Sequence, residues 1–369
     1  MTNYSIFSEQ NIDFTNEPLF LGSGRNVARL DLNLEKFIQN MIDKGQGLTW
    51  FKHDFTYTKD AKDFSLFSPE LQRLFLQNLK FQTALDSVAT RTVLEVFKPI
   101  TTNPQLESWW TNHGFQESIH SDSYAELIKA LPVNATKIFD EIMVSVEIIN
   151  RVKKVIARFD DTIIWNAKRL LNTSDYDYEA HKKSIVFSLI ALHILEAGLF
   201  QTSFITTFAF AENKVMESSG KSMGKIAKDE INHKAMTQYL INKHKKIPEW
   251  KYIFEDNKEE IQQMYKDAYE ADFMWIDYIF EEDARLLGLN AKVLKEYAQF
   301  NMYNATKAVG VETFVNKVNN PCSWAVKYTN TSNMQVALNE SDGVNYLLGI
   351  VDKSMSNEDY ENLKFADIS

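Results

Sequence analysis

Apolar positions recur every three to four residues through most of the chain between residues 68 and 309, the period of an α-helix whose one face is buried. Ser68-Pro69-Glu70 supplies an N-cap, a proline at the first helical position and an early acid. From there the stripe Leu71, Phe75, Leu79, Gln82, Asp86 runs toward Pro99, which marks a stop. Asn103-Pro104 repeats the same start for a helix reaching Leu131. The pattern predicts further helices over 135–172, 178–218, 221–244, 249–285 and 290–309, and a short one near Leu34–Lys44. Residues 1–67 read as a loosely structured arm packed on a helical bundle that spans 68–330. From residue 331 the chain turns to Asn, Ser and Asp, with Tyr346 to Val351 as its only apolar cluster, so 331–369 reads as an extended flexible tail. The fold class is all-α, a bundle of long helices.

Composition narrows the class. Only 12 Gly and 7 Pro argue against an all-β chain full of tight turns. A net charge of −10 disfavours a nucleic-acid binder, which needs clustered Lys and Arg. A single cysteine, Cys322, excludes an internal disulfide and any Cys-x-x-Cys motif, which suits a reducing cytoplasm. The segment from Ile185 to Ala211 is long and apolar enough for a bilayer, but His193, Glu196 and Gln201 stand near its middle. A helix buried inside a bundle is the better reading, with no membrane role.

That buried acid is one of several. Glu117 and His120 stand three apart, as do Glu230 and His233, and on a helix each pair aims at one point. Asp86 falls inside the apolar stripe of its helix, and Glu196 interrupts the most hydrophobic stretch of the chain. An unpaired buried carboxylate is costly, so each must be paired, protonated or metal-bound. Four helices thus offer one inward acid each, and two add a histidine, the pattern by which ferritin-like bundles hold two metal ions. Nitrogen and oxygen ligands without thiolate favour iron or manganese. The competing reading is a set of buried acids paired with Lys or Arg. Tyr124, four residues after His120, stays on the same face; it is either a core tyrosine bonded to a polar neighbour or a phenol that the metals oxidise.

The runs NLKFQTALDS, FQESIHSDSY, FAFAE and KDEINH resemble the radical-carrying small subunit of class I ribonucleotide reductase, and the likeness covers about residues 15–350. The resemblance implies a ferritin-like fold with two iron ions, manganese being the other metal. Asp86, Glu117 and His120 would bind one ion, and Glu196, Glu230 and His233 the other. It makes Tyr124 the radical tyrosine, in an apolar pocket of Phe200, Phe204 and Ile226. Trp50 and Asp229 would carry the radical outward, with Asp229 joined to His120, and Tyr346 in the tail would pass it on, with Glu340 nearby. It also implies a homodimer and a large catalytic subunit docked by the tail. From residues alone, Trp50 also reads as an anchor under the arm and Asp229 as a solvated acid. His193 departs from the family pattern and is expected to be a hydrogen-bonded core histidine. Two other functions belong on such a bundle: a di-iron oxygenase or desaturase, and a ferritin-like iron-binding protein.

Overall fold

The architecture was obtained as a computed structural model that describes residues 6–329; Glu340, Tyr346 and the rest of the expected tail lie outside the described residues. The strongest punctuation in the sequence is where the helices begin. Ser68 caps α3 (Pro69–Arg91), its hydroxyl accepting from the Leu71 amide. Asn103 caps α4 (Pro104–Ala130) through the Leu106 amide at 2.9 Å. Both helices carry proline in the first turn, where no amide partner is lost. The arm contributes α1 (Lys36–Gly47) and α2 (Thr58–Ser65). It is tied to the bundle where the Leu21 amide donates to the Ile100 carbonyl at 2.9 Å and the Thr102 amide to the Leu19 carbonyl at 3.0 Å.

Three expected helices are broken. The span 135–172 is two helices, α5 (Ala135–Val144) and α6 (Val146–Leu171). Ser145 takes extended backbone between them and turns its hydroxyl onto the Ile148 amide at 3.3 Å, a cap that the continuous apolar period hides. The span 178–218 begins as α7 (Tyr178–Ile194), widens into a π-helical segment (Leu195–Leu199), and ends as α8 (Phe200–Glu212). Lys214 and Met216 then adopt left-handed backbone, and α9 (Glu217–His244) starts earlier than its expected residue 221. The span 249–285 divides into α10 (Pro248–Asp256) and α11 (Lys258–Ile279) at Asn257, whose side chain bonds back to the Ile253 carbonyl at 2.7 Å. The last long helix, α12 (Ala291–Ala308), agrees with expectation.

α2 was not foreseen, and it has a definite task. Its Asp60 is buried and accepts from the Ser219 amide and hydroxyl, each at 2.6 Å, and from the Ser218 amide at 3.2 Å. A carboxylate from one helix thereby caps the N-terminus of another and complements its dipole. This anchors α9 in the bundle, where it packs on α4, α7 and α8, while α3 packs on α4 and α8.

The run Tyr178–Glu212 is the one described stretch long and apolar enough to cross a membrane, and its apolar window is wholly buried in the bundle. Its π-helical segment releases backbone carbonyls from the regular ladder. Polar side chains take them up: Gln201 donates to the Glu196 carbonyl at 2.9 Å, Arg151 to the Leu199 carbonyl at 3.1 Å, and Asn301 to the Gly198 carbonyl at 3.3 Å. Arg151 lies over the Phe81 ring at 3.6 Å and pairs with buried Asp272, whose carboxylate also accepts from Thr202 at 3.0 Å. Replacing Arg151 with Met leaves Asp272 unpaired in the core, and we expect a loss of about 3–5 kcal/mol of unfolding free energy in denaturant titrations. The double change Arg151→Met with Asp272→Leu should regain most of it.

Candidate metal centre

Four elements bring their acids to one place in the bundle: Asp86 from α3, Glu117 from α4, Glu196 from the π-helical segment and Glu230 from α9. With His120 and His233, all six side chains have 0 % exposure. His120 Nδ1 lies 3.7 Å from Asp86 Oδ2, 3.4 Å from Glu117 Oε2 and 3.4 Å from Glu230 Oε1. His233 Nδ1 lies 3.2 Å from Glu117 Oε1 and 3.5 Å from Glu230 Oε2. Asp86, Glu117, His120 and Glu230 form one metal-sized group. Glu117 and Glu230 each turn one oxygen to His120 and the other to His233. These two carboxylates thus link the neighbourhoods of the two histidines.

The donor set fits a cation pair. Both oxygens of Asp86, both of Glu230, one of Glu117, one of Glu196 and the Nδ1 atoms of His120 and His233 are buried without a hydrogen-bond partner. Orphaned anionic oxygens this dense are rare in native interiors and call for a counter-ion. No Lys or Arg is paired with any of these four acids among the described residues, which removes the reading in which they are ordinary ion pairs.

The outward nitrogens of the same rings are held. His120 Nε2 meets Asp229 Oδ2 at 3.1 Å, and the Trp50 indole donates to that same oxygen at 2.8 Å. Trp50 also stacks on His120, with ring centroids 6.0 Å apart. His233 Nε2 meets Gln116 Oε1 at 3.1 Å, and Gln116 Nε2 donates to Asp229 Oδ1 at 3.2 Å. Each imidazole thus has one nitrogen tied to an orienting partner and the other aimed among carboxylates, the arrangement typical of metal-binding histidine. Trp50 and Asp229 are neither a plain anchor nor a solvated acid; both are buried.

Burial pushes Asp86 and Glu196 well above the usual carboxylate range, with neighbouring acids adding to the shift. Glu117 goes the other way: burial opposes its charge, but His113, His120 and His233 hold it well below. Burial also opposes charge on the two histidines, yet the surrounding carboxylates prevail, raising His233 to about 10 and His120 well above its ordinary value.

Tyr124 is buried at 1 % exposure, and its hydroxyl reaches Met223 Sδ at 3.7 Å. Burial raises its pKa well above the ordinary phenol, and Asp86 and Glu230 add to this, so the neutral form is strongly favoured. Phe200, Phe204 and Ile226 are buried in the same apolar core. His193 is where it was expected, away from the acids, with Nδ1 2.7 Å from the Tyr265 hydroxyl and Nε2 3.2 Å from Gln238. Three neighbours were not anticipated: His113, Gln116 and Met223. His113 Nε2 lies 3.0 Å from Glu117 Oε1 and 3.5 Å from Glu196 Oε1. A search of the helix face at i−4 as well as i+3 from Glu117 would have found it.

Comparison with known proteins identifies the family. Residues 34–321 match the family model of the ribonucleotide reductase small chain. The chain is 30% identical over 375 residues to the ribonucleoside-diphosphate reductase subunit beta of Buchnera aphidicola, covering 98% of this chain and 100% of the relative. Among solved structures it resembles a ribonucleotide reductase R2 subunit from Clostridium botulinum, with a TM-score of 0.76, 21% identity, and coverage of 89% of this chain and 99% of that one. It also resembles a dimanganese(II) protein from Streptococcus sanguinis, with a TM-score of 0.63, 17% identity, and coverage of 80% and 96%. On the full-length match and the family model together, the chain belongs to the ribonucleotide reductase small-chain family, the beta subunits of ribonucleoside-diphosphate reductases.

Proposed function

We propose that this subunit generates and exports a radical: a dinuclear centre at Asp86, Glu117, His120, Glu196, Glu230 and His233 serves to oxidise Tyr124, and the oxidising equivalent leaves through Asp229 and Trp50. The observation that carries this reading is the continuous chain Trp50–Asp229–His120, which runs from the arm to the carboxylate cluster beside a buried phenol. When bound, the ions supply the redox chemistry that turns O2 into an oxidant strong enough for a phenol. Iron is the metal we favour, with manganese the alternative that the Streptococcus sanguinis neighbour illustrates.

The chain's own residues do the rest. Tyr124 gives up one electron and its phenolic proton, and Asp86 is the acid whose charge acts most strongly on the phenol. Exclusion of water protects the resulting radical, since Tyr124, Phe200 and Phe204 have at most 1 % exposure. Asp229 fixes the His120 ring and holds the Trp50 indole hydrogen, so it can move a proton while Trp50 passes an electron. Tyr346 would continue the route in the tail. Reduction of the ribonucleotide belongs to a large catalytic subunit that the tail docks, because Cys322, the sole cysteine, cannot form a dithiol. Burial also pushes its thiol up to about 12. By the same family reading the chain works as a homodimer. The full burial of the six ligands weighs against an oxygenase, which needs an open route for a substrate to the metals.

Three outcomes test this. Anaerobic loading with Fe(II) followed by O2 should give an organic radical in the EPR spectrum that Tyr124→Phe removes. Trp50→Phe should keep the radical and lose turnover with the large subunit. A metal-loaded protein with no organic radical rejects the reading. A second expectation concerns protons. His120 and His233 carry protons at neutral pH in the metal-free protein, and a ligand must shed them. Calorimetry in buffers of different ionisation enthalpy should therefore show protons released on metal loading, with affinity rising as pH climbs from 7 toward 10 and falling as it drops. Finally, a peptide of residues 331–369 should compete with the loaded subunit for the large one, and no competition would remove the docking role of the tail.

A further inference from the structure

We propose that His113 is a seventh protein ligand of the dinuclear centre, binding through Nε2 the ion held by Glu196 and His233. This rests on the reading of the site as a metal centre. His113 belongs to neither of the Glu-x-x-His pairs that mark the site in the sequence. It lies one helical turn before Glu117 on the same face of α4.

Ligand spacing is the first argument. Atoms about 2.1 Å from one ion and at right angles to each other lie about 3.0 Å apart, more when the angle opens. His113 Nε2 sits 3.0 Å from Glu117 Oε1 and 3.5 Å from Glu196 Oε1. His233 Nδ1 sits 3.2 Å from the same Glu117 oxygen and 3.5 Å from Glu230 Oε2. The two imidazole nitrogens thus occupy matching positions around one carboxylate oxygen. His113, Glu117 and His233 form a metal-sized group of their own, distinct from the group of Asp86, Glu117, His120 and Glu230.

The second argument is what His113 leaves unexplained otherwise. A ring that only donated a hydrogen bond to Glu117 would place its single N–H on one oxygen. Glu196 Oε1, buried and without a hydrogen-bond partner, would still face that nitrogen at 3.5 Å. A cation between the ring, Glu117 and Glu196 gives that oxygen the partner it lacks, while ring Nδ1 stays buried without a hydrogen bond in either case. The ring is also fixed. It stacks on His233 with centroids 3.6 Å apart and is walled by Trp110 at 6.0 Å and Trp109 at 5.7 Å. A ligand locked by packing loses little freedom on binding.

The consequence is an asymmetric pair of ions. One position has a single imidazole, His120, among carboxylates. The other gains two imidazoles side by side. Imidazole suits iron well, whereas carboxylate and water suit manganese, so His113 tilts the second position toward iron. It also fills a coordination position that water or O2 would otherwise take.

The test uses the full-length protein and a measurement that needs no catalysis. Crystals loaded with Fe(II) or Mn(II), read by anomalous scattering, should show His113 Nε2 at about 2.0–2.3 Å from the second ion. A separation beyond about 3 Å, with the nitrogen bonded to Glu117 instead, overturns the proposal while leaving the centre intact. An absence of bound metal overturns the centre itself. In parallel, chelator competition on wild type, His113→Phe and His113→Gln should show the second ion weakened by about 10-fold or more, and the first ion little changed. The Fe(II)-over-Mn(II) preference of the second position should shrink in both variants. An unchanged preference, with His113 not bound to the ion, counts against the proposal.

Discussion

Everything in this bundle is arranged around one electrostatic difficulty: four carboxylates meet in an interior from which water is excluded. Taking even one such charge out of water unpaired is expensive, and here several anionic oxygens have no hydrogen-bond partner. Two imidazoles among them soften the cost in the metal-free chain by carrying protons. Cations would remove it. The rest of the scaffold can be understood as holding the acids at that density. Asp60 fixes the start of α9, so Glu230 and His233 are delivered at the right depth. The π-helical turn sets the register of Glu196, and Arg151, Gln201 and Asn301 absorb the carbonyls it frees. These are side chains with no part in the chemistry, yet without them the ligand-bearing backbone would have unsatisfied groups of its own.

How much of this the sequence carried depends on whether the signal was local. Cap-plus-proline signals at Ser68 and Asn103 located the first residues of α3 and α4, because each is a short-range hydrogen bond written into adjacent positions. The acids on apolar faces were legible for the same reason: a charge in a hydrophobic stripe stands out whatever surrounds it. Ser145, Asn257 and the turn before Glu217 were not, since a period of apolar residues runs across them and only backbone geometry shows the break. Asp60 and Gln116 were invisible for a different reason. Their roles exist only in three dimensions, across 159 residues between Asp60 and Ser219 and 117 between Gln116 and His233. His113 lies between these cases. Its spacing from Glu117 was there to be read, but a motif defined by one interval conceals a neighbour at another.

The site is also two-sided, and the sides ask opposite things of the protein. Toward Tyr124 the charges of Asp86 and Glu230 act on the phenol, while the hydroxyl itself meets a thioether, a weak acceptor. That suits the radical proposed for Tyr124, because a thioether has no proton to donate. Toward Trp50 the surroundings are a connected polar network, His120, Asp229, Gln116 and the indole, in which every member fixes another. A low local dielectric strengthens such a network when it is fully satisfied.

The two sides meet at His120, so the proposed function would place radical storage and export on one helix. Glu117, His120 and Tyr124 follow one another along a single face of α4, so the ligand that faces the acids, the ring that meets the export network and the phenol move together as one rigid element. Gln116, the residue just before Glu117 on that helix, ties the His233 ring to the same Asp229 that holds His120. A displacement of either histidine is thereby felt at Asp229 and at the Trp50 indole. Under the proposed function, coupling of this kind would make the state of the centre and the readiness of the exit route a single property, set by packing.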